Sequence, residues 1–284
     1  MPFNLPGTLV PLYALFNPRL LHPHLSVTDI RRLDFAALRS AGYRGAVFDK
    51  DNCLTVPHKD ALVPELKDAW DECLKTFGPD NVLIVSNSAG STLDPGEFQA
   101  ESVSWHLRAP VLRHRAMKPS YSAANDIRAY FASLPAPLAP QDLIVVGDRI
   151  FTDTVLAKRL GQPPTAFTRI SHRLRLSSTS SPAGSSVLDL EKGEKPVSGP
   201  LAVWTTGVWE RESMIFRWAE SKLVNLVERL APEVRAIRED NERRFVIPLA
   251  APEPEPKNTE PPGRPWIGRA WQWAGRSSWG RYGG

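Results

Sequence analysis

Two carboxylates one residue apart, Asp49 and Asp51, close the apolar run Ala46-Val47-Phe48 in the stretch YRGAVFDKDNCLTVP, residues 43–57. Asn52 and Thr55 follow at once. Acids this close resist joint ionisation, and the partial desolvation of a strand end makes it costlier still. Later apolar runs end in residues equally suited to phosphate. NVLIVSNS (81–88) delivers Ser86 and Asn87, PVLRH (110–114) leads into RAMKPS with Lys118, and DLIVVGD (142–148) opens into GDRIFTD with Asp148 and Asp153. Four acids gathered at one edge need a cation, and hard carboxylate oxygens select Mg²⁺.

Such a set answers a hard chemical problem. Phosphate monoester hydrolysis is among the slowest reactions in water, with enzymatic accelerations reaching ~10²¹-fold. A carboxylate nucleophile divides it into formation and hydrolysis of an aspartyl phosphate. A lysine and a metal ion shield the carboxylate from phosphoryl charge. A second acid protonates the leaving alkoxide and later takes a proton from water. Asp49, at the strand end, suits the nucleophile. Asp51, two residues on, suits the acid/base. The close pair is needed because one carboxylate must stay charged while the other carries a proton.

The elements that must position these residues read as α/β. The runs 45–49, 81–88, 110–114 and 142–148 are short and β-rich, and GQPPTAFTRI (161–170) could add a fifth strand. Helical patterns lie between them. Residues 64–77 put Leu66, Ala69, Trp70, Cys73 and Leu74 on one face, and 121–133 carry Ala124, Ile127, Tyr130 and Phe131. SVTDIRRLDFAALRSAGY (26–43) reads as a short helix capped by Ser26 or Thr28. Strands alternating with helices predict a three-layer, Rossmann-like parallel sheet, whose ligand sits at the carboxyl ends of the strands. Only thirty residues separate Thr55 from Ser86, and the interval to Lys118 is barely longer, so neither holds a large cap domain and the site is expected to be open.

The 284 residues are 42% hydrophobic, enough for one sizeable α/β domain with tails. A net charge of +4, with no long basic block, gives no reason to expect a nucleic-acid partner. Cys53 and Cys73 have neither metal nor disulfide spacing, which fits a reducing compartment. Residues 1–27 form an oily arm broken by Pro6, Pro11 and Pro18. It reads as packed on the domain or a neighbouring subunit, or else as lying in a bilayer interface. Residues 28–170 read as the core and 171–200, rich in Ser, Gly and Pro, as a disordered insertion. Within an amphipathic helical segment at 201–247, the stripe Ile215, Trp218, Leu223, Leu226, Val227 and Leu230 reads as core packing. Residues 248–284 are Pro-rich, then interleave Trp with Arg, which suits a bilayer interface, nucleic acid or the protein's own surface.

DKDNCLT, Ser86 after a hydrophobic strand, Lys118 before a proline, and GDRIFTD, in that order, resemble the four motifs of the haloacid dehalogenase superfamily of phosphatases. The pairing of DKDNCLT with GDRxxTD is similar to the branch holding the mitochondrial phosphatidylglycerophosphate phosphatases of fungi. The resemblance implies Asp49 as nucleophile and metal ligand, and Asp51 as acid/base with its backbone carbonyl on Mg²⁺. It implies Ser86 on a phosphoryl oxygen, Lys118 on the nucleophile and phosphate, Asp148 as the other side-chain ligand and Asp153 as a supporting one. Asn52 and Asn87 are expected to shape the loops or back the site. It further implies an anionic phospholipid substrate at a membrane surface, phosphatidylglycerophosphate, and a mitochondrial location, peripheral on the matrix side of the inner membrane. An open site also raises the expectation of a homo-oligomer, in which a neighbour's arm closes it.

Residue chemistry alone stops at a phosphomonoester. A phosphatase of a small molecule or phosphoprotein would share this core. A receiver-like module would cluster acids and lysine without a second acid two residues after the first, and an inert scaffold would not need the complete set. The Arg108, Arg113, Arg115 cluster is either an attractor for an anionic substrate or a solvated face.

Overall fold

Five apolar runs pair into one parallel sheet: β1 (Leu25–Val27), β2 (Gly45–Phe48), β3 (Val82–Ile84), β4 (Leu143–Gly147) and β5 (Leu201–Thr205), in the order β1-β5-β4-β2-β3. The structure is a computed structural model that describes residues 17–162, 199–210 and 214–248. The expected fifth strand at 161–170, the 171–200 insertion and the tail beyond residue 248 fall almost wholly outside those residues. Around the sheet run α1 (Phe35–Ser40), α2 (Lys67–Phe77), α3 (Phe98–Leu107), α4 (Tyr121–Ala132), α5 (Val155–Gly161), α6 (Met214–Leu230) and α7 (Pro232–Phe245).

Alternation along the strands makes the three layers. Ala46, Phe48, Ile84 and Val146 face a core shared with Phe35 of α1, Trp70 and Phe77 of α2, Val103 of α3 and Phe245 of α7. Val47, Leu83, Val145 and Ala202 face the opposite side, against Ile127 and Phe131 of α4 and Leu156 and Leu160 of α5. A sheet covered on both faces needs strands apolar on both, which is why these runs read as continuous hydrophobic stretches.

Three expectations are corrected. The single helix expected over 26–43 is instead β1, a turn of 3₁₀ helix at Ile30–Arg32, and α1. The caps are Asp29 and Asp34, whose carboxylates accept from Arg31 N and Ala37 N, because Ser26 is engaged in the β1–β5 pairing. The run 110–114 makes only a bridge, Val111 against Ile84; Pro110 has no N–H to extend the ladder. The α6 stripe is only partly core: Val224 and Val227 are buried, while Trp218, Leu226 and Leu230 face solvent. β1 and β5 also lie outside the 28–170 span read as the core, yet both belong to the sheet.

From β2 the chain first adds β3 on one side, then crosses over to add β4 and β5 on the other. The carboxyl ends of β2 and β4 therefore flank the topological switch point, where open α/β sheets bind ligands. Residues 56–85 are spent on a turn, α2 and β3, and residues 87–117 on a turn, α3 and the Val111 bridge, so neither interval holds a cap domain.

Trp70 braces β2. It is buried, stands edge-on to Phe48 at 5.2 Å, and donates its indole N–H to Leu107 O at 2.8 Å. Trp70→Ala is expected to lower unfolding stability by about 3–5 kcal/mol. Trp70→Phe should cost about 1–3 kcal/mol, mainly through the orphaned carbonyl. Urea midpoints at unchanged slope check both, and wild-type midpoints would show that Trp70 is not a brace.

Candidate active site

The β2 ladder runs one residue past the strand, Asp49 N donating to Val146 O at 2.9 Å, so the Asp49 carboxylate is held at the sheet edge. The chain then turns sharply. Leu54 N and Thr55 N both donate to Lys50 O at 3.0 Å, and Asn52 takes a left-handed φ of 58° that its short polar side chain tolerates. Asn52 Oδ1 accepts from Trp209 N and Glu210 N, tying this loop to the segment after β5. Asn52 thus shapes the loop, as expected.

Lys118 draws the strand ends together. Its buried Nζ donates to Asp49 Oδ1 at 2.7 Å and Asp153 Oδ1 at 2.8 Å. Asn87 fixes the lysine from behind, its Oδ1 accepting from Lys118 N at 2.7 Å while its side chain still lines the cleft. Ser86 is buried beside the acids, with its Oγ 2.8 Å from Ser88 Oγ. His114 Nε2 meets Ser86 O at 2.9 Å, which makes that histidine a brace rather than surface filler. Asp153 rides on a π-helical turn, Ile150–Thr154, a form often found at functional sites. It packs so tightly over β4 that a Cβ on Gly147 would lie 2.3 Å from its Cγ, so position 147 admits only glycine.

Carboxylate oxygens of Asp49, Asp148 and Asp153 lie within 4.8 Å of one another, close enough to share a metal ion. Hard acidic oxygens at this spacing suit a hard divalent cation. The Asp51 carboxylate turns away from that group. It accepts from Lys50 Nζ at 2.7 Å, Ser88 Oγ at 2.9 Å and His58 N at 3.0 Å. All seven residues singled out from the sequence therefore meet at one edge. Six of them, with Arg149, line a cleft of about 330 Å³, and Asp153 lies beneath it.

Four further participants were missed. Lys50, 0% exposed, spends its ammonium on Asp51 and on Lys59 O at 2.9 Å. Its place between two acids was a signal. Ser88 links Ser86 to Asp51. Arg217 of α6 reaches the buried Asp148 carboxylate, and Glu220 accepts from Phe151 N at 3.1 Å. Nothing in the local pattern of α6 announces either contact. Arg108 and Arg113 lie elsewhere, paired with Asp71 and Glu97.

Burial pushes Asp49 up to about 6; the neighbouring Asp153 and Asp51 charges add to this and Lys118 opposes it. Burial also drives Asp148 well above the carboxylate range, with Asp49 and Asp153 adding and Arg217 and Arg149 opposing. For Asp51 burial acts upward too, but the Lys50 ammonium and the hydrogen bonds to its oxygens outweigh it and hold the group below its usual value. The two acids of the opening motif are therefore pushed in opposite directions, and without a cation the proton is favoured on Asp49 rather than on Asp51, the reverse of the sequence expectation.

A parallel α/β sheet with this acid-and-lysine group at its switch point defines a class: α/β proteins with a carboxylate-and-lysine site at the carboxyl ends of the strands. Within it, the chain belongs to the mitochondrial PGP phosphatase family, whose sequence pattern it matches over residues 5–169. It is 43% identical over 152 residues to the chloroplastic phosphatidylglycerophosphate phosphatase 1 of Chlamydomonas reinhardtii, covering 52% of this chain and 54% of that one. It is 39% identical over 140 residues to the chloroplastic/mitochondrial phosphatidylglycerophosphate phosphatase 1 of Arabidopsis thaliana, covering 49% and 38%. With the mitochondrial phosphatidylglycerophosphatase GEP4 of Saccharomyces cerevisiae it shares 37% over 158 residues, 56% of this chain and 83% of that one. The chain thus spans about half or less of the plant and algal relatives. No solved structure matches it.

A pH-dependent response to cations follows from the raised acids. The folded pKa of Asp49, about 6, exceeds its ordinary value of ~3.9. Its burial therefore costs stability fully above about pH 6, and the cost fades as pH falls through 6 toward 4. A divalent cation competes for the same deprotonated oxygens. Mg²⁺ or Mn²⁺ is expected to raise Tm clearly at about pH 7.5 and little at about pH 5, and Asp148→Asn should remove the difference. Thermal scans in which cations leave Tm unmoved at both pH values would rule out a metal role for these acids.

Proposed function

We propose that this chain is a Mg²⁺-dependent phosphatase that converts phosphatidylglycerophosphate to phosphatidylglycerol through an aspartyl phosphate on Asp49. One observation carries the chemistry: a buried lysine held between Asp49 and Asp153 at the strand ends where Asp148 also converges. The lipid assignment rests on family membership and on the relatives' printed names.

Asp49 is the nucleophile. One of its carboxylate oxygens forms the bond to phosphorus as the bond to the ester oxygen breaks. The leaving alkoxide takes a proton delivered by Asp51, which the substrate monoanion can supply in advance. Water then attacks the aspartyl phosphate, gives its proton to Asp51, and the Asp49–phosphorus bond breaks to release inorganic phosphate. The ion pair with Lys50 favours the charged Asp51 that the second half requires. Lys118 keeps Asp49 anionic yet screened from the phosphoryl oxygens, and Ser86 and Asn87 line the cleft that receives them. Asp49, Asp148 and Asp153, with the Asp51 carbonyl, would hold Mg²⁺, which when bound withdraws charge from the transferring oxygens.

The uncapped edge suits a phosphate on a headgroup that stays with its membrane. No helix among the described residues is long and apolar enough to cross a membrane. We assign the protein to mitochondria, from the relatives' names, and to peripheral attachment on the matrix side of the inner membrane.

Phosphate release from phosphatidylglycerophosphate in mixed micelles tests this directly. Wild type should require Mg²⁺, lose activity to a chelator, and lose at least about a thousandfold on Asp49→Asn. Release from p-nitrophenyl phosphate but not from the lipid would remove the lipid assignment, and release from neither would remove the mechanism. Leaving groups probe the acid. Asp51→Asn should slow alkyl phosphates by ~10²–10⁴-fold and p-nitrophenyl phosphate far less, since that leaving group needs no proton. Equal losses on both would show that Asp51 is not the acid.

A further inference from the structure

α6 has two unlike faces. Arg217, Glu220, Val224 and Val227 are buried, and the first two reach the acid cluster through Asp148 and Phe151 N. The outward side carries Met214, Trp218, Leu226 and Leu230, with Trp218 64% and Leu230 70% exposed. A soluble surface rarely gathers this much apolar area on one helix without a use for it. Lys222 and Arg229 are also exposed here, and Lys222 Nζ stands 5.7 Å from the centre of the Trp218 ring. Among the described residues of α6, no acid shares that side. Glu220 is buried, Glu228 sits between His22 and Arg238, and Glu233, beyond the helix end, is paired with Arg19.

We infer that the outer face of α6 is the surface by which this protein docks on an anionic lipid bilayer. The inference rests on the phosphatase reading only for the identity of the substrate and adds the docking surface to it. Two leucines, a methionine and a tryptophan flanked by Lys and Arg make the pattern of a helix lying in a bilayer interface. Basic residues at such a surface are drawn to anionic headgroups. A second copy of the chain fits less well. A two-fold contact would set this face against itself, bringing Lys222 and Arg229 toward their own duplicates with no exposed α6 acid to offset them. The position also has a consequence. Because Arg217 and Glu220 fasten the opposite face of the same helix to the catalytic edge, docking here holds the open cleft close to the headgroup layer.

The experiment uses the full chain and vesicles of phosphatidylcholine, alone or mixed with phosphatidylglycerol. An environment-sensitive nitrobenzoxadiazole label on Leu226→Cys should shift to the blue with mixed vesicles, while the same label on Lys75→Cys, on α2, should not. Cys53 and Cys73 are buried and leave labelling selective. In co-sedimentation, the combined Trp218→Ser, Leu226→Ser and Leu230→Ser variant should bind mixed vesicles about tenfold or more weakly. Lys222→Gln with Arg229→Gln should erase the preference for mixed over neutral vesicles. Hydrolysis of soluble p-nitrophenyl phosphate should stay at wild-type level in all of them.

A label that does not respond, or variants that sediment like wild type, would overturn the inference. So would a label shift that needs no vesicles and follows protein concentration, with loss of a dimer in the serine variant, because the face would then join two copies. Wild type that docks as described but releases no phosphate from any ester would leave docking intact and remove the phosphatase reading instead.

Discussion

Three carboxylates converge within a few ångströms at the end of a parallel sheet, and the ammonium of Lys118 is what allows them to be there. Charges of one sign at this distance, half shielded from water, would force the strand ends apart or take up protons. A buried cation shared by Asp49 and Asp153 lowers that repulsion, and its own burial is tolerable because both partners are within hydrogen-bond reach. The geometry of the edge follows from this. Asp153 must come to the lysine, so its turn presses onto β4 and position 147 can hold no side chain. Lys118 must stay fixed, so Asn87 takes its backbone N–H and His114 steadies Ser86 on the adjoining loop.

The two acids of the opening motif are separated by their partners more than by their spacing. Asp49 faces the crowded group, where burial and like charge favour a proton. Asp51 turns to Lys50, Ser88 and a backbone N–H, all of which favour its charge. One strand end thereby carries two carboxyl groups of different character, separated by a lysine wholly buried between them. In the proposed cycle Asp49 must attack as an anion, which Lys118 favours against burial, and Asp51 must take a proton from water, which its charged state allows.

Distant parts of the chain support this edge. β5 and the segment after it bring Trp209 and Glu210 to Asn52, and α6 brings Arg217 to Asp148. The helix that completes the charge balance also carries the largest run of exposed apolar side chains among the described helices, so the site and the outer surface share one element.

Much of this was legible in the sequence because short parallel strands are buried on both faces and show as apolar runs, and because the residues that end them are polar only for a reason. The runs at 45–49, 81–88 and 142–148 predicted β2, β3 and β4, and Asp49, Asp51, Ser86, Asn87, Lys118, Asp148 and Asp153 predicted the edge. What local pattern could not reveal was which face of an amphipathic segment finds a partner. The spacing of Trp218, Leu226 and Leu230 is that of a core stripe, yet these three face solvent while Val224 and Val227 of the same helix are buried, because helix period records where apolar residues stand and not what packs on them. Nor could it reveal that residues 25–27 and 201–205 pair with each other across most of the chain, since parallel partners need no proximity in sequence. The sequence by itself determined the chemistry at the strand ends. Tertiary structure alone decided that Ser88 meets Asp51, that Arg217 meets Asp148, and which apolar face was left to the surroundings, because each depends on segments brought together only by folding.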